Sequence, residues 1–380
     1  MNKNLISLAV AAVFAMPVVV SAGTEVYGLA HVSVGFIDND AEGDAESSSI
    51  AMNWNDSNIG FKGSEDLGGG LSAIYQAEVG VDFSGGEGGT GETADGLGKF
   101  RNTYLGFSGD WGTAIMGRNE TPFRSATAKL DPFDNTVGDF AGVLGVSSSG
   151  VRHDVRISNM LAYLSPDIKG FSFQLAYGLD DGAGLDSTSA SAQQQLGAMS
   201  FAAIYSNGPL YVVGAYQSLF ETGAVATGSA NADDKATRVG GGYTFGNFTI
   251  NGLWENVDGG GSDNDHDAYY ASGVFAMGST AFALAYGVAD DNGTAADSGA
   301  SMLSFAAIRS LSKRTKIYLG YTQVEAEKGV LINKNTGSTT VTPSTAYGID
   351  EGLLNPVVSA NRNGTASIFM LGVSHKFSSK

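Results

Sequence analysis

Residues 117–140, GRNETPFRSATAKLDPFDNTVGDF, place both signs of charge in one short segment: Arg118 and Arg124 first, then Asp131, Asp134 and Asp139. The chain has no cysteine and no GxSxG elbow, so nothing here pairs a nucleophile with a base. What fixed charges of opposite sign can do is hold a field across a gap and sort solutes by size and charge. The segment is therefore expected to fold into a wide β-barrel and narrow its channel, with Asp131, Asp134 and Asp139 as an acidic side.

The other reactive side chains do not assemble an enzyme. Asp38-Asn39-Asp40-Ala41-Glu42-Gly43 opens like a calcium loop, but position twelve is Ser49, where a bidentate glutamate is required. His31, His153, His266 and His375 are far apart and lack ligand spacing, so no metal site is expected. The glycine-rich run 85–98 is followed by no Lys-Ser or Lys-Thr and no helical pattern, which excludes a phosphate cradle. Acidic clusters at Asp180 and Asp181, at Asp263 to Asp267, and at Asp290 and Asp291 read first as solvated loop charge. Their sharper reading is divalent-cation bridging to lipopolysaccharide phosphates. No cofactor is expected, and a barrel phospholipase is the enzyme alternative.

Holding charges across a gap requires a rigid wall, and the rest of the chain is patterned as one. Val26, Ala30, Val32, Val34 and Phe36 alternate with Tyr27, His31 and Ser33. Phe171, Phe173, Leu175 and Tyr177 alternate with Ser172 and Gln174 in the same way. A period of two means extended strand with one apolar face. Short turns at 64–70, 110–111, 165–170, 207–209, 246–247, 277–279 and 311–314 alternate with long polar segments at 37–49, 84–99, 119–155, 180–196, 220–235, 258–266, 289–300 and 325–364. Seven short and eight long connections imply sixteen antiparallel strands joined as neighbours.

Composition agrees. With 54 glycines, 7 prolines, 20 Phe and 15 Tyr in 380 residues, the chain suits many short strands and tight turns rather than long helices. Beyond residue 20 no apolar run approaches the roughly 20 residues a membrane helix needs, whereas strands facing lipid and water by turns carry little net hydropathy. A meander of this size closes to remove its edges, and sixteen strands leave an aqueous bore. One alternative is a soluble, secreted all-β adhesin or repeat, which has no reason to sort its loops into a short set and a long set on opposite ends; another is a membrane-embedded adhesin or surface receptor without channel activity. The net charge of −18 argues against nucleic-acid binding and for attraction of cations.

Residues 1–22, MNKNLISLAVAAVFAMPVVVSA, carry Lys3, an apolar core and the small residues of Val20-Ser21-Ala22, the pattern of a secretory signal. The expected organisation is a signal at 1–22, a transmembrane barrel at 23–377 and a short tail at 378–380.

Several stretches carry a resemblance: Val26-Tyr27-Gly28 at the first strand, Ile59-Gly60-Phe61-Lys62-Gly63-Ser64-Glu65-Asp66-Leu67-Gly68 through the first short turn, Leu130-Asp131-Pro132-Phe133, and Gly372-Val373-Ser374-His375-Lys376-Phe377 near the end. Together they are similar to the trimeric general porins of Gram-negative bacteria over essentially the whole mature chain. The resemblance implies a homotrimer in the outer membrane, surrounded by lipid and lipopolysaccharide. It implies passive diffusion of ions and small hydrophilic solutes, and an assembly signal at Phe377. It also implies basic wall residues opposite the acidic third loop. Arg101 and Arg156 match those wall positions, Arg118 follows the preceding strand, and Arg124 joins them or anchors the loop. Positions often basic in the family hold Leu29 and Asn58 here, so the ladder is thinner, and with the overall acidity a preference for cations is expected. Ser378, Ser379 and Lys380 extend past the aromatic on which the family usually ends.

Export predicts cleavage after Ala22. Intact-mass and N-terminal sequencing of protein from outer membranes are expected to begin at Gly23, and a chain retaining 1–22 would count against the signal.

Overall fold

The computed structural model describes residues 23–41, 47–83, 97–145, 152–179, 197–220, 234–259, 265–291, 298–326 and 364–379. The signal segment, Asp180 and Asp181, Asp263, most of the glycine-rich run and Lys380 lie outside them. The strands are β1 (Glu25–Ala41), β2 (Ser47–Asn53), β3 (Asn58–Gly68), β4 (Leu71–Val81), β5 (Leu97–Phe100), β6 (Thr103–Gly109), β7 (Gly112–Glu120), β8 (Arg156–Leu164) and β9 (Phe171–Gly178). They continue as β10 (Gly197–Asn207), β11 (Leu210–Phe220), β12 (Asp234–Phe245), β13 (Phe248–Asp258), β14 (Asp265–Met277), β15 (Thr280–Ala289), β16 (Ala300–Ser310), β17 (Thr315–Ala326) and β18 (Gly364–Ser378).

All pair antiparallel with their neighbours, and β18 returns to pair β1 from Tyr27↔Ser378 to Ala41↔Gly364, closing the cylinder. Eighteen segments make sixteen staves, because β2 and β3 both pair β1 and β5 and β6 both pair β4. Each of these two staves is interrupted partway, at residues 54–57 and at 101–102. Closure in a bilayer leaves no peptide group unpaired in hydrocarbon.

The short turns form where glycine supplies the left-handed backbone a two-residue hairpin needs: Gly208, Gly246 and Gly278 have φ near 60° (58°, 62° and 62°). Several bounds differ from the sequence expectation: β3 runs to Gly68, so the first short turn is 69–70 and not 64–70, and β2 and β5 begin inside the segments 37–49 and 84–99. Strand β1 runs on through Asp38 and Asp40, because its partner β18 continues alongside it. The last strand does not stop at Phe377. Ser378 Oγ donates to Glu25 at 2.6 Å and Ser379 N to the Val26 carbonyl at 2.8 Å, so the tail satisfies the start of β1.

Large side chains face outward and small ones inward. Phe201, Tyr243, Tyr269, Leu284, Phe305 and Leu371 are exposed on the outer surface, whereas Ala202, Ala215, Ala236, Ala268, Ala285 and Ala306 are buried on the inner one. Near the short turns, rings of Phe171 and Tyr205, and of Phe245, Phe248 and Phe275, pack against one another as an aromatic girdle.

The segment after β7 folds into the lumen and fills the space the alanines leave. Thr121 caps α1 (Pro122–Thr127) by accepting from Arg124 N, and Pro122 occupies the first turn, where no N–H is needed. This helix was not anticipated, although Thr-Pro is a recognisable start signal. Phe123, Leu130, Phe140, Val143 and Leu144 then pack on the alanine wall of β10–β18. The approach requires Gly287: a Cβ there would sit 2.7 Å from Val143 Cγ2, too close for either to relax freely. Gly287→Val is expected to cost about 1–3 kcal/mol by overpacking, read as a lower thermal midpoint in detergent. Gly252→Ala, which meets nothing within 4 Å, is the control and should leave the midpoint unchanged.

Candidate functional site

The inward loop is fastened by three polar groups, and the first lies where it leaves the wall. Glu78 on β4 is in register with Gly60, on the face opposite to the outward Ile59 and Phe61, so its carboxylate points into the lumen. Tyr27 donates to Glu78 Oε2 at 2.9 Å, and Arg101 Nε donates to Glu78 Oε1 at 2.6 Å. Arg101 Nη1 also donates to Asp56 Oδ1 at 2.5 Å. The other oxygen of Asp56 is 3.8 Å from Arg156 Nη2. Arg156 in turn meets Glu120 at 2.5 Å and takes Asn102 Oδ1 as a further acceptor. Glu120 is 3.5 Å from Arg124 Nε, on the first turn of the loop helix.

Among the described residues, three guanidiniums and three carboxylates thus alternate along one ladder. Their side chains are each between 8% and 18% exposed. At that depth the charges are held by charge-assisted hydrogen bonds yet remain in reach of water.

The ladder brings together Arg101, Arg156 and Arg124 of the residues expected from sequence. Arg118 sits elsewhere, donating to the Phe100 carbonyl and to Ser158 Oγ. Sequence reasoning missed Asp56, Glu78 and Glu120. Glu78 was legible in principle, sharing the polar parity of Gln76. Glu120 was not: by strict alternation it shares a face with lipid-exposed Met116, but the register shift between Gly117 and Asn119 turns it inward.

The second group is a latch at the far end of the loop. Arg238 on β12 donates through both terminal nitrogens to Asp154, at 2.7 and 2.6 Å, and through Nε to Glu255 at 2.5 Å. Its guanidinium lies 4.3 Å from the Phe123 ring centroid and 4.8 Å from that of Phe140. Arg238 and Glu255 are fully buried, so removing either partner would strand a charge at a cost of roughly 3–5 kcal/mol. Burial alone would raise the Asp154 carboxyl, but Arg238 holds it below the usual range.

The third group contains the expected acidic side. Asp131 Oδ1 accepts from Phe133 N and Tyr270 Oη, and Oδ2 from Phe140 N. Asp139 accepts from Ala141 N and Asn135 N. At 1% and 7% exposure, Asp131 and Asp139 face the loop's own backbone instead of open water. Asp134 is half-buried and accepts from Asn135 Nδ2. Burial, then the charge of Asp139, pushes both Asp131 and Asp134 well above the ordinary aspartate value. The acidic triplet therefore ties the loop's turns together, and the carboxylates paired with the wall arginines come from the barrel staves.

Of the outer acidic clusters, two described members are bonded into the rim, Asp291 accepting from Ser298 N and Gly299 N and Asp267 from Asn256 Nδ2, while Asp265 and Asp290 are exposed.

A sequence model described as Gram-negative porin matches residues 7–329. The chain is 28% identical over 326 residues to outer membrane porin protein 32 of Delftia acidovorans, covering 84% of this chain and 88% of that one. It is 32% identical over 188 residues to the major outer membrane protein P.IB of Neisseria meningitidis, about half of each chain (48% and 51%). Among solved structures it resembles an anion-selective porin from Comamonas acidovorans with a TM-score of 0.72 at 22% identity, covering 94% and 100% of the two chains. OmpT of Vibrio cholerae matches with a TM-score of 0.62 at 15% identity, covering 93% and 97%.

The latch predicts an acid response. Burial, then the neighbouring Arg238, pushes His153 down to about 3 from its ordinary 6.5. The fold therefore favours the neutral ring, and its contribution is complete above pH 6.5 and is lost as pH falls toward about 3. Compared with His153→Gln at each pH, hydrogen-exchange protection of residues 122–145 in the wild type is expected to fall more steeply between pH 7 and 4. Parallel losses in the two proteins would rule out the imidazole.

Proposed function

Because the chain belongs to the Gram-negative porin family, we propose that it works as a homotrimeric outer-membrane diffusion channel whose loop-narrowed bore passes ions and small hydrophilic solutes, cations more readily than anions. The observation that carries the reading is the ladder of Arg101, Arg156 and Arg124 against Asp56, Glu78 and Glu120 at the root of an inward loop. Fixed charges of both signs at a narrowing orient a dipolar solute and lower the cost of stripping its water. Transport is passive, driven by the solute gradient alone.

The cation preference rests on where solvent-exposed charge lies. Among the described residues the ladder is balanced, three against three, and so offers anions no net attraction. The long-loop rim exposes Asp38, Asp40, Asp265, Asp290, Asp291 and Glu325, and the whole chain carries −18. These carboxylates concentrate cations at the outer mouth within a Debye length, about 8 Å at physiological salt. Anion selectivity is the described property of the porin from Comamonas acidovorans. In this chain Leu29 and Asn58 supply no added positive charge.

Purified protein in a planar bilayer is expected to insert with conductance that closes in three steps at high voltage. Under a KCl gradient its reversal potential should have the sign of potassium preference, weakening as salt is raised. Absence of conductance would overturn the channel reading, and a chloride-preferring potential would overturn the cation part alone.

A further inference from the structure

Asp56 enters the ladder by an unusual route. It lies between β2 and β3, in the interruption of one stave, where Asn55 and Asp56 both take the left-handed backbone with φ of 35° and 60°. Side chains other than glycine rarely do so, Asn and Asp being the tolerated exceptions. The bulge is held from several sides. Ser57 N donates to the Trp54 carbonyl at 2.7 Å, Ser57 Oγ to the His31 carbonyl at 2.8 Å, and Asn55 Nδ2 to Ser33 Oγ at 2.7 Å. On the other flank Val81 N donates to the Ser57 carbonyl at 2.8 Å. A scaffold this complete fixes where the Asp56 carboxylate points.

It points between two arginines on different staves, with Arg101 at 2.5 Å and Arg156 at 3.8 Å. Glu78 sits on the far side of Arg101 and Glu120 on the far side of Arg156. Among the described residues, Asp56 is therefore the carboxylate that touches both wall arginines. Two residues later stands the uncharged Asn58. Without Asp56 the ladder would carry a net positive charge in its middle.

We propose that Asp56 is the residue that sets ion selectivity in this channel, cancelling the anion attraction of Arg101 and Arg156 at the narrowing. The proposal rests on the channel reading above. Its mechanism is charge placement: the carboxylate converts two adjacent guanidiniums from an anion perch into one half of a balanced dipole. The bulge is the device that delivers it, since regular alternation through residues 54–57 would leave the position to the strand ladder.

The test compares Asp56→Asn and Asp56→Gly with Asp110→Asn, all as full-length protein reconstituted in planar bilayers. Asparagine preserves the left-handed backbone and a hydrogen-bond acceptor, and glycine relaxes that backbone, so at least one should fold while both remove the charge. Asp110 is an exposed carboxylate in the short turn between β6 and β7 and serves as the equal-charge control. Both Asp56 variants are expected to raise the chloride-to-potassium permeability ratio by roughly threefold or more, with conductance retained, while Asp110→Asn leaves it unchanged. Conducting Asp56 variants with the wild-type ratio, or an equal shift in Asp110→Asn, would overturn the role given to Asp56 and leave the channel reading standing. Loss of conductance in the wild type would instead overturn the channel.

Discussion

A peptide group in hydrocarbon has no water to bond, and this one fact organises the molecule. Each unpaired N–H or C=O costs several kcal/mol there, so every stave must have a neighbour on both sides and the first must meet the last. The β1–β18 seam does this along its full length, and the residues beyond Phe377 prolong it to Val26. Once the sheet is closed, side chains have only two destinations, lipid or lumen, and alternation assigns them.

The inner face of such a wall is ordinarily wet. Here one side of it, from β10 to β18, is paved with alanine and glycine, and the loop after β7 lays Phe123, Leu130, Phe140 and Val143 upon it. The loop thereby acquires a core of its own inside a water-filled tube. Its backbone is tied to the wall by Tyr211 to the Ala126 carbonyl and by Ser272 to the Leu130 carbonyl. Small side chains on the wall and large ones on the loop are two halves of one packing solution.

The two arginine clusters show how burial divides roles. Arg238 is fully enclosed, sandwiched by aromatic rings and bonded to two carboxylates, and in that setting a charge specifies position. Arg101 and Arg156 keep one side toward water, where their charge is screened less by protein than by solvent. Both clusters consist of arginine and carboxylate, and what separates them is access to water.

The sequence by itself determined the period-two pattern of segments such as 26–36 and 171–177, the sorting of turns into short and long sets and, from their count, the sixteen staves, because these depend on neighbours within a few residues; the inward course of 117–140 was expected, but it is the distant alanine wall that holds it there. A resemblance of local motif singled out Arg101 and Arg156, and the structure sets both beside Asp56. The sequence did not reveal that Asp131 and Asp139 would be spent on the loop's own turns, nor that Asp56, Glu78 and Glu120 would be the partners of the wall arginines. Those assignments depend on register between staves far apart in the chain and on two irregularities, the left-handed bulge at Asn55 and Asp56 and the slip between Gly117 and Asn119. One residue of slip exchanges lipid for lumen, so which carboxylates meet Arg101 and Arg156 is decided only when the closed sheet fixes every register at once.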